Sequence, residues 1–198
     1  MPQAAMNRYD FTGVVEWSRI PGWFDLPKAI AVQQVVKQCP PGSNLVELGS
    51  FQGRSSVAIA SVLPPESILF CVDHFEGSEE HRTMQLDLSN LFQSFQKNIA
   101  AFGVQDRIRV LRMSTVEAAG QFATGSVDLI LLDAAHDYES VKTDLEHWYP
   151  KLKPGGALFC DDYEPAWPGV QRAVEAVGLK GEVVARALFF HRKPAAQS

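Results

Sequence analysis

Acidic side chains follow two apolar runs of this chain, at positions where buried strands would end. Asp133 comes directly after residues 127–132, and Asp161 and Asp162 come directly after residues 157–160. Carboxylates crowded at one sheet edge repel one another unless a cation or protons intervene. All-oxygen ligands suit a hard ion such as Mg²⁺, so Asp133, Asp161 and Asp162 are predicted to hold a divalent metal. The alternative is that one aspartate caps a helix and another faces solvent.

A histidine stands close to these acids. His136 lies three residues past Asp133 and could reach the same cleft. An unperturbed imidazole titrates near neutral pH, so it can accept a proton there. We predict His136, beside Asp133, to be the catalytic proton acceptor; the alternative is a structural histidine.

Two glycines in a G-x-x-x-G spacing follow another apolar run. Gly49 and Gly53 let the backbone approach a ligand closely and turn into a helix, whose N-terminal amides attract a carboxylate. Glu47 precedes the first glycine by two residues, where it would repel a pyrophosphate and attract a cationic amino group. The spacing differs from the dinucleotide fingerprint G-x-G-x-x-G, which argues against an NAD-dependent oxidoreductase.

A further acid, Asp73, follows the apolar run at residues 68–72. An acid at this position suits hydrogen bonds from two ribose hydroxyls. The alternative is a helix cap or turn residue. Together with the glycine loop, we favour ribose binding.

The elements that must position these residues alternate between strand and helix. The strands are continuous apolar runs, which indicates that both sheet faces are covered and that the sheet is mainly parallel and doubly wound. Ligands of such α/β sheets bind beyond the carboxyl ends of the strands. We predict one domain over residues 27–198, preceded by an arm at 1–26. The arm's aromatic residues either pack on the domain or cap a substrate pocket.

The composition of the chain argues against some classes of binding partner. The chain has 198 residues and a net charge of -5, which gives no general attraction to nucleic acid or to an anionic membrane. No apolar run approaches the ~18 residues needed to span a bilayer. The three widely spaced cysteines are typical of buried thiols in a reducing compartment, so we expect a cytoplasmic protein.

Several stretches together resemble a known family. The run at 45–56, the L-D-A-A-H-D-Y-E stretch at 132–139, the L-K-P-G-G turn at 152–156 and the D-D-Y triplet at 161–163 resemble class I S-adenosylmethionine-dependent methyltransferases. Within that superfamily they are most similar to small O-methyltransferases of the catechol, caffeoyl-CoA and bacterial sugar or antibiotic types. The resemblance covers about residues 27–193. It implies a Rossmann-like methyltransferase fold with a seven-stranded, mostly parallel sheet and a C-terminal antiparallel strand.

The resemblance also implies how S-adenosylmethionine is held. Glu47 would contact the methionine amino group and Ser55 the methionine carboxylate. Asp73 would hold the ribose, and Ser114 would lie near the adenine. The remaining cofactor contacts are assigned to Gly49, Ser50, Gly53 and Asp133.

The resemblance also implies which residues bind a divalent metal, and it points to the position of the catalytic base. Asp133, Asp161 and Asp162 match the family's divalent-metal ligands, whereas His136 stands where catechol O-methyltransferase carries its catalytic lysine. The polar segment 76–89 resists matching and is interpreted as a lid or substrate loop.

These expectations combine into metal-assisted O-methylation of a small-molecule hydroxyl, with a homodimer possible by family analogy. Two alternatives stay open. A metal-independent methyltransferase could act on nitrogen or carbon, because amines need no metal. A non-catalytic module could bind S-adenosylmethionine, but it would not need the acids at 133, 161 and 162.

Overall fold

A seven-stranded sheet forms the centre of residues 16–195, the part of the chain that the computed structural model describes. In chain order the strands are β1 Asn44–Leu48, β2 Ile68–Val72, β3 Ile108–Leu111, β4 Val127–Leu132, β5 Leu152–Cys160, β6 Glu182–Ala185 and β7 Leu188–Arg192. The helices are α1 Leu26–Val36, α2 Arg54–Ala60, α3 Glu79–Thr83, α4 Leu91–Ala101, α5 Thr115–Ala119, α6 Tyr138–Trp148 and α7 Pro168–Ala176.

The strand order is β3-β2-β1-β4-β5-β7-β6. Among β1 to β5, every pair of neighbouring strands is parallel. Strand β7 is antiparallel to both β5 and β6. The predicted doubly wound sheet with a C-terminal antiparallel strand is therefore confirmed. The order reverses between β1 and β4, which is where ligands bind in sheets of this type.

The core lies on both faces of the sheet, as the continuous apolar strands require. On one face, buried side chains of α1, α2 and α4 pack on alternate strand residues such as Leu45 and Leu129. On the other face, α5, α6 and α7 pack on the intervening residues, such as Val46 and Ile130. This two-sided burial fixes the directions of the strand ends, and hence of the loops that follow them.

Part of the predicted N-terminal arm belongs to this core. Trp17, Ile20 and Phe24 are buried against the α1 side of the sheet. Trp23 is 55% exposed and faces the crevice at the strand ends. Residues 1–15 of the arm lie outside the described residues. Among the helices that are described, none combines the length and apolar character needed to cross a membrane.

Candidate active site

A cavity of about 690 Å³ opens at the carboxyl ends of the strands, at the reversal between β1 and β4. It brings together most of the residues singled out from the sequence, namely Gly49, Ser50, Ser55, Asp73, Ser114, Asp133, His136, Asp161 and Asp162. Glu47 and Gly53 do not line it. Volumes of this order are typical of cofactor and small-molecule sites.

The glycine loop after β1 lies directly against the loop after β4. Gly49 has a φ of +85°, and a Cβ at this position would come within 2.1 Å of the carbonyl oxygen of Asp133. Gly53 starts α2 with a φ of +87° and faces Phe95 of α4. Gly49 thus lets the β1 and β4 loops touch, whereas Gly53 serves the turn and the packing behind it.

Glu47 lies behind the cavity wall. Its carboxylate is fully buried, and its Oε2 atom accepts hydrogen bonds from the hydroxyls of Ser50, at 2.6 Å, and of Ser56. Burial raises the pKa of Glu47, although the serine hydroxyls oppose that shift. The sequence suggested direct contact with a methionine amino group, whereas in this structure the carboxylate reaches the cavity wall through Ser50.

Asp73, at the end of β2, holds the glycine loop in place. Its Oδ2 atom accepts hydrogen bonds from the backbone N–H groups of Ser50 and Phe51, each at 2.9 Å. Its Oδ1 atom accepts from the N–H of Phe75 at 2.6 Å. Phe51 has a φ of +46°, so this carboxylate also supports a strained backbone position. Asp73 lines the cavity and therefore combines the predicted location with the turn role given as its alternative.

The opposite end of the cavity is built by α5 and α6. Ser114 caps α5 and exchanges hydrogen bonds with Glu117. The hydroxyl of Thr115 donates to Asp144 of α6, an acid that is only 4% exposed. Burial raises the pKa of Asp144 to about 6. Sequence reasoning missed Asp144 because a single acid inside a helix carries no spacing signal.

His136 is held between an acid and an aromatic ring. Its Nε2 atom lies 2.9 Å from Oδ2 of Asp162, and its ring stacks on Trp167 at a centroid distance of 4.3 Å. Nδ1 is buried and has no hydrogen-bond partner among the described residues; the nearest acid, Glu80, has its Oε1 atom 3.8 Å away. Burial lowers the pKa of His136, but the hydrogen bond and charge of Asp162, together with the charges of Glu80 and Asp161, raise it overall.

The three aspartates predicted as metal ligands do not act alone, because a lysine joins them. The Nζ atom of Lys28, in α1, lies 2.6 Å from Oδ1 of Asp161 and 3.6 Å from Oδ1 of Asp162. Its side chain is 7% exposed. Burial opposes the charge on Lys28, yet Asp161 raises the pKa of this ammonium overall, so it is positively charged at neutral pH.

The ligand set that the geometry offers therefore differs from the expected one. Donor atoms of Asp133, His136 and Asp162 lie within 4.8 Å of one another, while Asp161 is paired with Lys28. Burial, together with the charges of Asp161 and Asp162, raises the pKa of Asp133 well above its usual value. Lys28 was missed because it precedes β1 and reaches the strand ends only through the packing of α1.

Segment 76–89, expected to be a lid or substrate loop, contributes residues to the cavity lining. It contains the short helix α3, and the ring of His81 in that helix stacks against Trp23 and against Phe51, at centroid distances of 5.4 and 4.7 Å. The rings of Trp23 and Phe51 also contact each other, at 5.4 Å. All three residues line the cavity. The N-terminal segment, the glycine loop and α3 thus meet at the entrance in one cluster of three aromatic rings.

Comparison with known proteins gives a family match. Residues 46–163 match a family described as a methyltransferase domain; this range begins inside β1, ends just past β5 and contains the loops that follow β1, β2 and β4.

Two curated relatives are similar in sequence. The uncharacterized protein y4gI of Sinorhizobium fredii is 28% identical over 123 residues, covering 61% of this chain. The 8-demethyl-8-(2,3-dimethoxy-alpha-L-rhamnosyl)-tetracenomycin-C 4'-O-methyltransferase of Streptomyces olivaceus is 30% identical over 150 residues, covering 67% of this chain. The chain spans only 13% and 57% of the lengths of these two relatives.

A solved structure shares the fold. The O-methyltransferase TomG of Streptomyces achromogenes, involved in tomaymycin synthesis and solved with S-adenosylmethionine, superposes with a TM-score of 0.65 at 14% identity. The superposition covers 94% of this chain and 87% of TomG.

Proposed function

The chain belongs to the class I S-adenosylmethionine-dependent methyltransferases, and on that premise we propose that it methylates a hydroxyl oxygen of a small molecule. One observation carries the proposal: His136 lines the same cavity as Gly49 and Asp73, and its Nδ1 atom has no hydrogen-bond partner among the described residues. A hydroxyl must lose its proton during transfer, and this nitrogen is an acceptor for it.

The donor end of the cavity supports the nucleoside part of the proposal. One continuous cavity is lined by Gly49, Ser50, Ser55, Asp73 and Ser114. The N-terminal amides of α2 attract a carboxylate, and Ser50 and Ser55 offer hydroxyls beside them. When bound, S-adenosylmethionine supplies an electrophilic methyl group: the acceptor oxygen bonds to its carbon, and the broken bond leaves an electron pair on sulfur.

The chain's own residues then manage the proton. A carboxylate only accepts hydrogen bonds, so Asp162 holds the hydrogen of His136 on Nε2 and leaves the lone pair on Nδ1. His136 takes the hydroxyl proton at Nδ1, and the resulting imidazolium is stabilised by Asp162. The stacking of Trp167 on the imidazole limits rotation of the ring during this step.

A divalent metal such as Mg²⁺ fits two of the predicted ligands. Asp133 and Asp162 would hold it, since Mg²⁺ is commonly bound through one or two carboxylates with water and substrate filling the other positions. When bound there, it would lower the pKa of a coordinated hydroxyl. Asp161 is excluded from this set by its pairing with Lys28.

Two further proposals concern the acceptor atom and the cellular compartment. The tetracenomycin relative and TomG are O-methyltransferases by name, which supports an oxygen acceptor over nitrogen or carbon. Cys39, Cys71 and Cys160 are all free thiols, and a reducing cytoplasm would preserve them.

Two measurements test the proposal. Calorimetric titration of the purified chain with S-adenosylmethionine, S-adenosylhomocysteine and NAD should show binding of the first two only. A labelled methyl group should then be transferred to phenols or sugars, with a chelator arm and Mg²⁺ add-back reporting on the metal. Transfer to amines with none to hydroxyls would contradict O-methylation, and binding without any transfer would favour a non-catalytic module.

A further inference from the structure

The acidic cluster contains a cation of its own, the ammonium of Lys28. We propose that Lys28 is the resident counter-ion of Asp161 and Asp162 and that it keeps the affinity of the cluster for divalent metal ions low. This inference deepens the proposed function, because it concerns the carboxylates assigned there to Mg²⁺.

The burial of the pair shows that Lys28 is built into the site. The side chains of Lys28 and Asp161 are 7% and 2% exposed, and their charged atoms are 2.6 Å apart. The same Oδ1 atom of Asp161 accepts the backbone N–H of Asp162 at 2.8 Å. An isolated buried charge is strongly disfavoured, so each member of this pair requires the other.

The ammonium competes with a divalent ion in two ways. It occupies Asp161, which lowers the number of available carboxylates from three to two. It also lies 3.6 Å from Asp162, one of the two carboxylates that remain. Two cations on the same carboxylate repel each other, and the repulsion is larger in a partly buried site than in water.

A metal ion could reach the position that the Lys28 ammonium occupies. Lys28 lines a second cavity of about 360 Å³, together with Asp25, Arg186 and Asp162, and Asp162 lines the first cavity as well. Removal of the ammonium would therefore open a site with three carboxylates that is reachable from two cavities.

The test measures Mn²⁺ binding by electron paramagnetic resonance of the unbound ion, with neither S-adenosylmethionine nor acceptor present. Lys28→Met should bind Mn²⁺ about tenfold or more tighter than the wild type. The double variant Lys28→Met/Asp161→Asn should bind Mn²⁺ more weakly than Lys28→Met, because the carboxylate released by the first change is removed by the second and only the relief of repulsion at Asp162 remains. Lys37→Met, at the other end of α1, removes one positive charge away from the cluster and should leave the affinity close to that of the wild type.

A second variant controls for misfolding of Lys28→Met. Lys28→Gln removes the charge but keeps an N–H donor for Asp161, and it should also tighten Mn²⁺ binding. Unchanged or weaker binding in the folded Lys28 variants would overturn the proposal, and so would an equal gain in Lys37→Met. Failure of the proposed function would show separately, as absent nucleoside binding in the calorimetric titration.

Discussion

The Nε2 atom of His136 lies 2.9 Å from Oδ2 of Asp162, and the other ring nitrogen is buried without a hydrogen-bond partner among the described residues. Asp162 follows β5 and His136 follows β4, so the pair joins two neighbouring strand ends. A carboxylate beside one nitrogen of an imidazole and an unshared electron pair on the other nitrogen form the arrangement of a general base that is oriented by an acid.

Replacing this base should separate binding from turnover. His136→Asn should lower the methyl-transfer rate by about 10²- to 10⁴-fold, because proton transfer by a positioned side chain contributes on that scale. The dissociation constant for S-adenosylmethionine should change little, since the nucleoside is assigned to other residues. His147→Asn, on the exposed face of α6, is the matched control. A rate in His136→Asn equal to that of the control would remove His136 from the mechanism.

The pH dependence of the rate should follow the Asp162 contact. His136 works as a base only when unprotonated, so the rate should fall as the pH drops through its raised pKa. Asp162→Asn removes the charge that raises this pKa. The acid limb of the profile should therefore move to lower pH, and an NMR titration of the His136 ring should show the same direction. An imidazole pKa that stays the same or rises in Asp162→Asn would contradict the role given to Asp162.

Two glycines with similar φ angles should differ sharply in how well they tolerate substitution by alanine. Gly42 has a φ of +75°, and a Cβ added there would meet no atom within 4 Å. Gly49 has a φ of +85°, and a Cβ added there would lie 2.1 Å from the carbonyl oxygen of Asp133. Gly42→Ala should cost about 1 kcal/mol of unfolding free energy, from the left-handed backbone alone. Gly49→Ala should cost several kcal/mol and weaken nucleoside binding, since the β1 and β4 loops must separate. Equal costs in urea unfolding would show that the contact between the loops is unimportant.

The stability of the fold should depend on pH through Asp144. Burial raises the pKa of Asp144 from 3.8 to about 6, so the folded state holds a proton that the unfolded state has lost between these values. Stability should therefore decrease as the pH rises through that window. Asp144→Asn should flatten this dependence and be more stable above pH 7, by up to about 3 kcal/mol. Asp106→Asn, at an exposed position in a short 3₁₀ helix, controls for the loss of one negative charge. A pH dependence that persists in Asp144→Asn would assign the effect to another acid.

The residues at strand ends could be read from the sequence for a simple reason. Continuous apolar runs locate the buried strands, and parallel strands put their carboxyl ends at one edge. Asp73, Asp133 and Asp162 were found in this way, and the cavity contains all three. The same argument located Gly49, because a strand-to-helix turn at the crevice needs a backbone without a side chain.

Residues placed by tertiary packing could not be read in this way. Lys28 lies on a helix that ends before β1, and its partner Asp161 lies far along the chain. Glu47 lies in a strand that is buried on both faces, so its position relative to the cavity could not be assigned from alternation. Asp144 and His81 depend on how α6 and α3 meet other elements, which no local pattern encodes.

Asp162 has a φ of +55°, a backbone conformation that glycine adopts without strain and that other residues adopt at a cost. The chain thus keeps a carboxylate where a residue without a side chain would relax the turn after β5. Directed evolution that selects only for heat resistance would be expected to remove this side chain early, along with the orientation of His136. Screening libraries of this enzyme should therefore score turnover and thermal tolerance together.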